Sequence, residues 1–172
     1  MAKIYCTNMK RKPTIYIETS IISYLAAWPS PDLMTAACQQ TTTKWWEGYR
    51  RFYNVVTSAL VVAESREGDR RMAKKRLNFL KGISALRTTE NTKELARALT
   101  RKGALPQKAQ ADALHIAIAA VHRVDYLLTW NCRHIDNPAT KPLVREVCLS
   151  EGYACPEICT PFEIMEQHEY EE

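Results

Sequence analysis

The sequence predicts one α/β domain built on a mainly parallel sheet. Short β-branched and aromatic runs alternate with helical segments of ten or more residues, the spacing that right-handed crossovers need. The chain has 172 residues, 46% hydrophobic and 25% charged, enough for one buried core. No linker, repeat or low-complexity stretch divides it, so residues 1–172 read as a single unit.

Thr14 to Ile17 (TIYI), entered through Pro13 and ended by Glu18, reads as the first strand. Ile21 to Ala27 reads as a short helix stopped by Trp28, Pro29, Ser30 and Pro31. Asp32 then begins a long polar helix to about Tyr49. Tyr53 to Thr57 (YNVVT) is the second strand, and Ser58 caps a helix carrying Val61, Val62 and Glu64. Asp69 caps the next helix, with Met72, Leu77 and Leu80 on its apolar side. Ile83 to Arg87 is a weak third strand, and Thr89 caps a helix with Leu95 and Leu99 at helical spacing. Gly103 and Pro106 precede Lys108 to Arg123, an almost wholly apolar helix. Tyr126 to Thr129 is the fourth strand, Leu143 to Glu151 a helix, Ile158 to Thr160 an edge strand and Phe162 to His168 a terminal helix.

Composition excludes several chemistries. The five glycines are scattered, so neither a phosphate-cradling Gly-rich loop nor a GxSxG elbow can form. Glu18 and hydroxyl residues interrupt the only apolar stretch near the start, which therefore lacks a signal-peptide core. No run approaches the ~20 apolar residues of a membrane span. The six cysteines are therefore expected as reduced thiols in the cytoplasm, and only Cys155 and Cys159 lie close, too few for a zinc site.

The net charge of +5 averages two opposite regions. Residues 66–102 hold twelve Lys and Arg against four Asp and Glu, an excess of +8. From residue 151 onward there are seven Glu and no Lys or Arg. Charge alone reads first as a solvated helix face and a frayed tail; the functional alternative is a basic flank, including Arg70, Arg71, Lys74 and Lys75, that carries a polyanion backbone with the acidic tail kept out of it.

In an open parallel sheet, ligands bind beyond the carboxyl ends of the strands. Glu18-Thr19-Ser20 follows the first strand, and Trp130-Asn131-Cys132-Arg133-His134 the fourth. Glu64 and Asp112 are further acids in largely apolar helices, and Asp112 lies too deep in its helix for capping, which makes its desolvation costly. Converging carboxylates repel unless protonated or neutralised by a cation, and oxygen ligands suit Mg²⁺ or Mn²⁺. Such a site hydrolyses phosphodiesters. His115 and His134 read as packed or hydrogen-bonded histidines rather than general bases.

IYIETSIISYL, SALVVAESREGD and ADALHIAIAAVHRVDYLLTWNCRHI, in that order, resemble the PIN domain family, and more narrowly its VapC-type toxins. The resemblance spans roughly residues 14–162. It implies a three-layer α/β/α sandwich and a metal-dependent ribonuclease selective for single strands. In toxins the targets are cellular RNAs such as transfer RNA. By resemblance the four acid positions fall on Glu18, Glu64, Asp112 and Asn131. Glu18, Asp112 and Asn131 would hold Mg²⁺ or Mn²⁺, Glu64 would orient or deprotonate the attacking water, and Ser20 and Thr129 would support them by hydrogen bonds. Glu18 in place of the usual Asp, and Asn131 as the uncharged alternative, imply altered metal geometry and weaker metal affinity.

The resemblance further implies an RNA substrate, a cognate antitoxin protein and a homodimer. Trp28, Trp45 and Trp46 are candidate groove residues for the antitoxin, with at least one of them expected to pack in the core instead. The rival readings are a PIN-fold module that binds RNA or protein without cutting, and an unrelated phosphatase, disfavoured because no DxD motif follows the first strand.

Overall fold

The structure, a computed structural model, describes residues 11–169. Within them five strands and eight α-helices alternate: β1 (Thr14–Ile17), α1 (Thr19–Ala26), α2 (Leu33–Lys44), β2 (Asn54–Ser58), α3 (Ala59–Glu64), α4 (Arg70–Leu80), β3 (Ser84–Leu86), α5 (Glu90–Arg101), α6 (Gln110–Val121), β4 (Tyr126–Leu128), α7 (Lys141–Ser150), β5 (Glu157–Cys159) and α8 (Pro161–Glu169). All strand pairings are parallel, in the order β3-β2-β1-β4-β5. The α/β class and the parallel sheet are as the sequence predicts.

The strand order fixes where the helices go. From β1 to β3 the chain steps one way along the sheet; it then crosses to β4 and steps the other way to β5. Right-handed crossovers therefore send α1 to α4 over one face and α5 to α7 over the other. Helix contacts follow this division: α1 touches α2 and α4, while α5 touches α6 and α7. The result is a three-layer sandwich. Connections leave β1 and β4 toward opposite faces, so a crevice opens between their carboxyl ends.

Strand β1 is the centre of the core. Ile15, Tyr16 and Ile17 are fully buried, with Tyr16 opposite Val56 on one side and Leu127 on the other. A central parallel strand is covered on both faces, which is why it reads as a continuous apolar run. Helix α6 supplies the other solid block, with Ile116 to Ala120 fully buried. Truncating an Ile or Leu here to Ala would cost roughly 2–5 kcal/mol.

Several boundaries differ from the sequence expectation for local reasons. Helix α1 starts at Thr19 rather than Ile21, because Glu18 itself caps it and accepts from the Ser20 amide. The long polar helix ends at Lys44 and continues as a π-helical turn (Trp45–Tyr49) and a 3₁₀ turn (Arg50–Phe52). The widened turn lets Trp45 drop into the core while Trp46 packs edge-on against Phe79 at 5.6 Å. Ser58, Asp69 and Thr89 cap their helices by accepting the amides of Val61, Met72 and Thr92. Helix α6 begins at Gln110, so Asp112 lies in its first turn rather than deep inside it.

Helices α5 and α6 end alike. The Ala104 amide bonds the Leu99 carbonyl and Gly103 takes φ +77°; the Val124 amide bonds the Ala119 carbonyl and Arg123 takes φ 54°. Glycine occupies that left-handed position freely, whereas arginine there is strained.

The five described cysteines are free thiols, and Cys6 lies outside the described residues. Among the described residues no helix is long and apolar enough to cross a membrane.

Candidate metal centre

The crevice beyond β1 and β4 holds the acids. Glu18, directly after β1, is buried, and its Oε2 is saturated. It accepts from the Ser20 amide (3.0 Å), the Ser20 hydroxyl (2.5 Å) and the Thr129 hydroxyl (2.8 Å). Thr129 and Ser20 are themselves held by the chain after β4. The Asn131 amide donates to Thr129 Oγ1 at 2.9 Å, and the Trp130 amide to Ser20 Oγ at 2.8 Å. Two hydroxyls thus clamp one carboxylate oxygen and stitch the two strand ends together. The other oxygen, Oε1, faces His115 Nε2 at 4.0 Å.

Glu64, at the end of α3, reaches the same spot. It accepts from the Thr19 hydroxyl and contacts His115 Nε2 at 3.1 Å. Burial opposes its ionisation, but the His115 hydrogen bond and charge and the Thr19 hydroxyl outweigh it and hold the carboxyl below its ordinary range. His115 is fixed from behind: its Nδ1 lies 2.7 Å from the Tyr16 hydroxyl, which lies 2.8 Å from Ser58 Oγ. Burial pushes the Tyr16 phenol well up, so it stays protonated. Two proton arrangements satisfy this relay. Tyr16 donates to Nδ1 while Nε2 donates to Glu64, or Nδ1 donates to Tyr16, which turns to Ser58 and leaves the Nε2 lone pair free.

Ligand atoms of Glu18, Glu64 and His115 all lie within 4.8 Å of one another. Two carboxylates and an imidazole, buried and oriented by neighbouring hydroxyls, could hold a metal ion.

Asp112 and Asn131 form a second, adjoining group. Asp112 Oδ1 accepts from Asn131 Nδ2 at 2.8 Å, and its Oδ2 lies 2.8 Å from His134 Nδ1. Asn131 Oδ1 accepts the His134 amide at 3.1 Å. These bonds supply the compensation that a half-buried carboxylate needs. Of the expected metal set of Glu18, Asp112 and Asn131, Glu18 lies with Glu64 and His115, while Asp112 and Asn131 bond each other. Helix α6 joins the two groups, since Asp112 and His115 are one turn apart on one face. Ser20 and Thr129 both bond Glu18.

Comparisons with family models, with curated proteins and with solved structures find no match to this chain.

The sequence alone does not mark His115 as a ligand, or Tyr16, Thr19 and Ser58 as its neighbours in the site. A three-residue spacing from Asp112 was the available signal, but a lone histidine in an apolar helix reads as core. Of the three candidate groove tryptophans, at least one of which is expected in the core, Trp45 is fully buried, whereas Trp28 is exposed and Trp46 half-buried. Arg70, Arg71, Lys74 and Lys75 lie on α4 and take no part in the acid groups.

A cavity of about 840 Å³ shares α3 and α6 with the site. Leu60, Ala96, Ala111 and Leu114 line it, and Lys93, Arg97 and Arg101 give it a basic rim.

Proposed function

We propose that this chain is a divalent-metal-dependent endoribonuclease of the PIN, VapC-like type. The observation that supports it most is the convergence of Glu18, Glu64 and His115 in the crevice at the switch between β1 and β4. A cation bound there would lower the pKa of a coordinated water and offset charge on the phosphoryl oxygens. The protein's own residues do the rest. Ser20 and Thr129 fix Glu18 so that Oε1 alone faces the centre, Tyr16 and Ser58 hold the His115 ring in place, and Glu64 is held as the ionised group that can accept a proton. Imidazole in the donor set favours Mn²⁺ over Mg²⁺, which prefers oxygen alone.

The test is cleavage of single-stranded RNA with Mn²⁺ or Mg²⁺. Glu64→Gln should lower the rate by about 10²–10⁴-fold, the range for losing a proton-transfer group, and Asp112→Asn should lower it too. Absence of cleavage under every divalent metal, or equal cleavage by both variants, would falsify the assignment. In this reading the protein is a toxin restrained by an antitoxin and acts as a homodimer; growth arrest on expression, reversed by the neighbouring reading frame, tests the toxin role.

One observation favours a second reading, a weak or non-cutting binding module. Both Asp112 carboxylate oxygens already have partners, Asn131 and His134, and the converging group is Glu18, Glu64 and His115. Binding of RNA with full affinity and no turnover is its signature.

A further inference from the structure

The basic helix α4 meets an exposed aromatic ring. Trp28 follows α1 and is 57% exposed, with Lys75 Nζ 3.9 Å and Arg71 Cζ 5.1 Å from the ring centroid. Arg71 and Lys75 are four residues apart and so lie on one face of α4. The ring is presented on a pinned turn. Gln39 donates to the Trp28 carbonyl at 2.9 Å and accepts the Ser30 amide at 3.0 Å, and Pro29 and Pro31 stiffen the segment.

The charges around it are bare. Other cations have carboxylate partners: Lys93 and Arg97 pair with Glu90, Lys102 with Glu151, Lys141 with Asp136, Arg145 with Glu157 and Arg11 with Asp125. Among the described residues no carboxylate pairs with Arg70, Arg71, Lys74 or Lys75. Arg70 and Lys74 instead line a shallow cavity of about 450 Å³ with Arg66 and Lys81. Unneutralised cations on both sides of α4, beside one open indole, match a chain that repeats a phosphate and a flat base.

We propose that Trp28, Arg71 and Lys75 form a subsite that stacks one base of single-stranded RNA and holds its flanking phosphates. The proposal rests on the RNA-directed reading above and gives its substrate a second point of contact. Base stacking on an exposed aromatic ring tolerates any sequence and excludes a duplex, whose bases are already stacked. Helix α1, eight residues and so about 12 Å long, connects Glu18 to the segment that carries Trp28, which places the ring and the acid centre at the two ends of one short helix.

The experiment is fluorescence anisotropy with a short labelled RNA in EDTA, so that binding is read without cleavage. Trp28→Ala should weaken single-strand binding about tenfold, within the range of one lost base stack. Trp28→Tyr should retain most of the affinity, and thermal unfolding checks that both variants fold. On the same strand carrying abasic positions, wild type and Trp28→Ala should bind alike. Replacing Arg71 and Lys75 together by Gln should lower the slope of log K against log salt by about 1.4, or ~0.7 per phosphate contact. Unchanged single-strand affinity in Trp28→Ala overturns the subsite and leaves the indole to a protein partner. Equal loss on the abasic strand overturns it as well. Trp28-dependent binding without metal-dependent cleavage supports the subsite and removes the nuclease reading; cleavage with Trp28-independent binding does the reverse.

Discussion

Thr129→Val is the sharpest probe of the clamp that holds Glu18. Valine keeps the branched shape at a fully buried position, so the change removes a hydroxyl without opening a large cavity. That hydroxyl donates to Glu18 Oε2 at 2.8 Å and accepts the Asn131 amide at 2.9 Å. A hydrogen bond to a charged group contributes about 1.5–3 kcal/mol, and an unsatisfied buried donor costs about 1–3 kcal/mol. Ser20 still gives Oε2 two bonds, and Asn131 is only half-buried, so the lower halves of both ranges apply. The expected loss is about 2–4 kcal/mol, or roughly 5–15 °C in Tm for a domain of this size.

Urea unfolding with an unchanged m-value measures that loss, and Mn²⁺ titration followed by thermal shift reads the second consequence. A freed Glu18 should bind Mn²⁺ about 10–100-fold more weakly. Thr129→Ser, which keeps the hydroxyl and drops a methyl, should cost only about 1 kcal/mol and preserve Mn²⁺ affinity. Stability within about 0.5 kcal/mol of wild type in Thr129→Val, together with unchanged Mn²⁺ affinity, would refute the reasoning.

Three further outcomes concern stability. Lys141 Nζ lies 2.5 Å from the buried Asp136 carboxylate, and burial nonetheless raises the Asp136 pKa despite that pairing. The folded state therefore holds this proton to higher pH than the unfolded chain, and the site disfavours folding as Asp136 ionises. Lys141→Met should cost about 3 kcal/mol near neutral pH and less near pH 4, where Asp136 is increasingly neutral; urea unfolding at the two pH values decides. Thr57 Oγ1 is buried with no partner, so Thr57→Val should stabilise by about 1 kcal/mol in thermal unfolding, a result of opposite sign placing an unseen partner there. Arg123→Gly should gain about 0.5–1 kcal/mol by relieving the left-handed backbone after α6, measured as a rise in Tm; a loss would show that the arginine side chain contributes more than the strain costs.

What the sequence made legible follows the range of the forces involved. The strands at Thr14–Ile17 and Tyr126–Leu128 are visible because buried parallel strands must be apolar throughout. The caps at Ser58, Asp69 and Thr89 are visible because each bond closes within three residues. The π-helical turn at Trp45 was not legible, since tertiary burial of one indole, rather than local propensity, widens it.

The site divides in the same way. Strand ends pointed to Glu18 and Asn131, and an apolar context pointed to Asp112. Which acids share a centre depends on side-chain directions and on bonds such as Thr129 to Glu18, 111 residues apart. The role of His115 depends on Tyr16, 99 residues away, and no periodicity encodes that.

The strand order has a consequence for the timing of synthesis. Strand β1 is made first and sits in the middle, but its neighbour β4 and the hydroxyl that clamps Glu18 emerge 111 residues later. A nascent chain thus carries Glu18 and Glu64 well before His115 and Thr129 leave the ribosome. Closing so long a loop also makes the sheet slow to form relative to its helices. No truncated product ending before residue 129 holds the assembled centre, and any chemistry that centre performs begins only once Thr129 has been added and has reached Glu18.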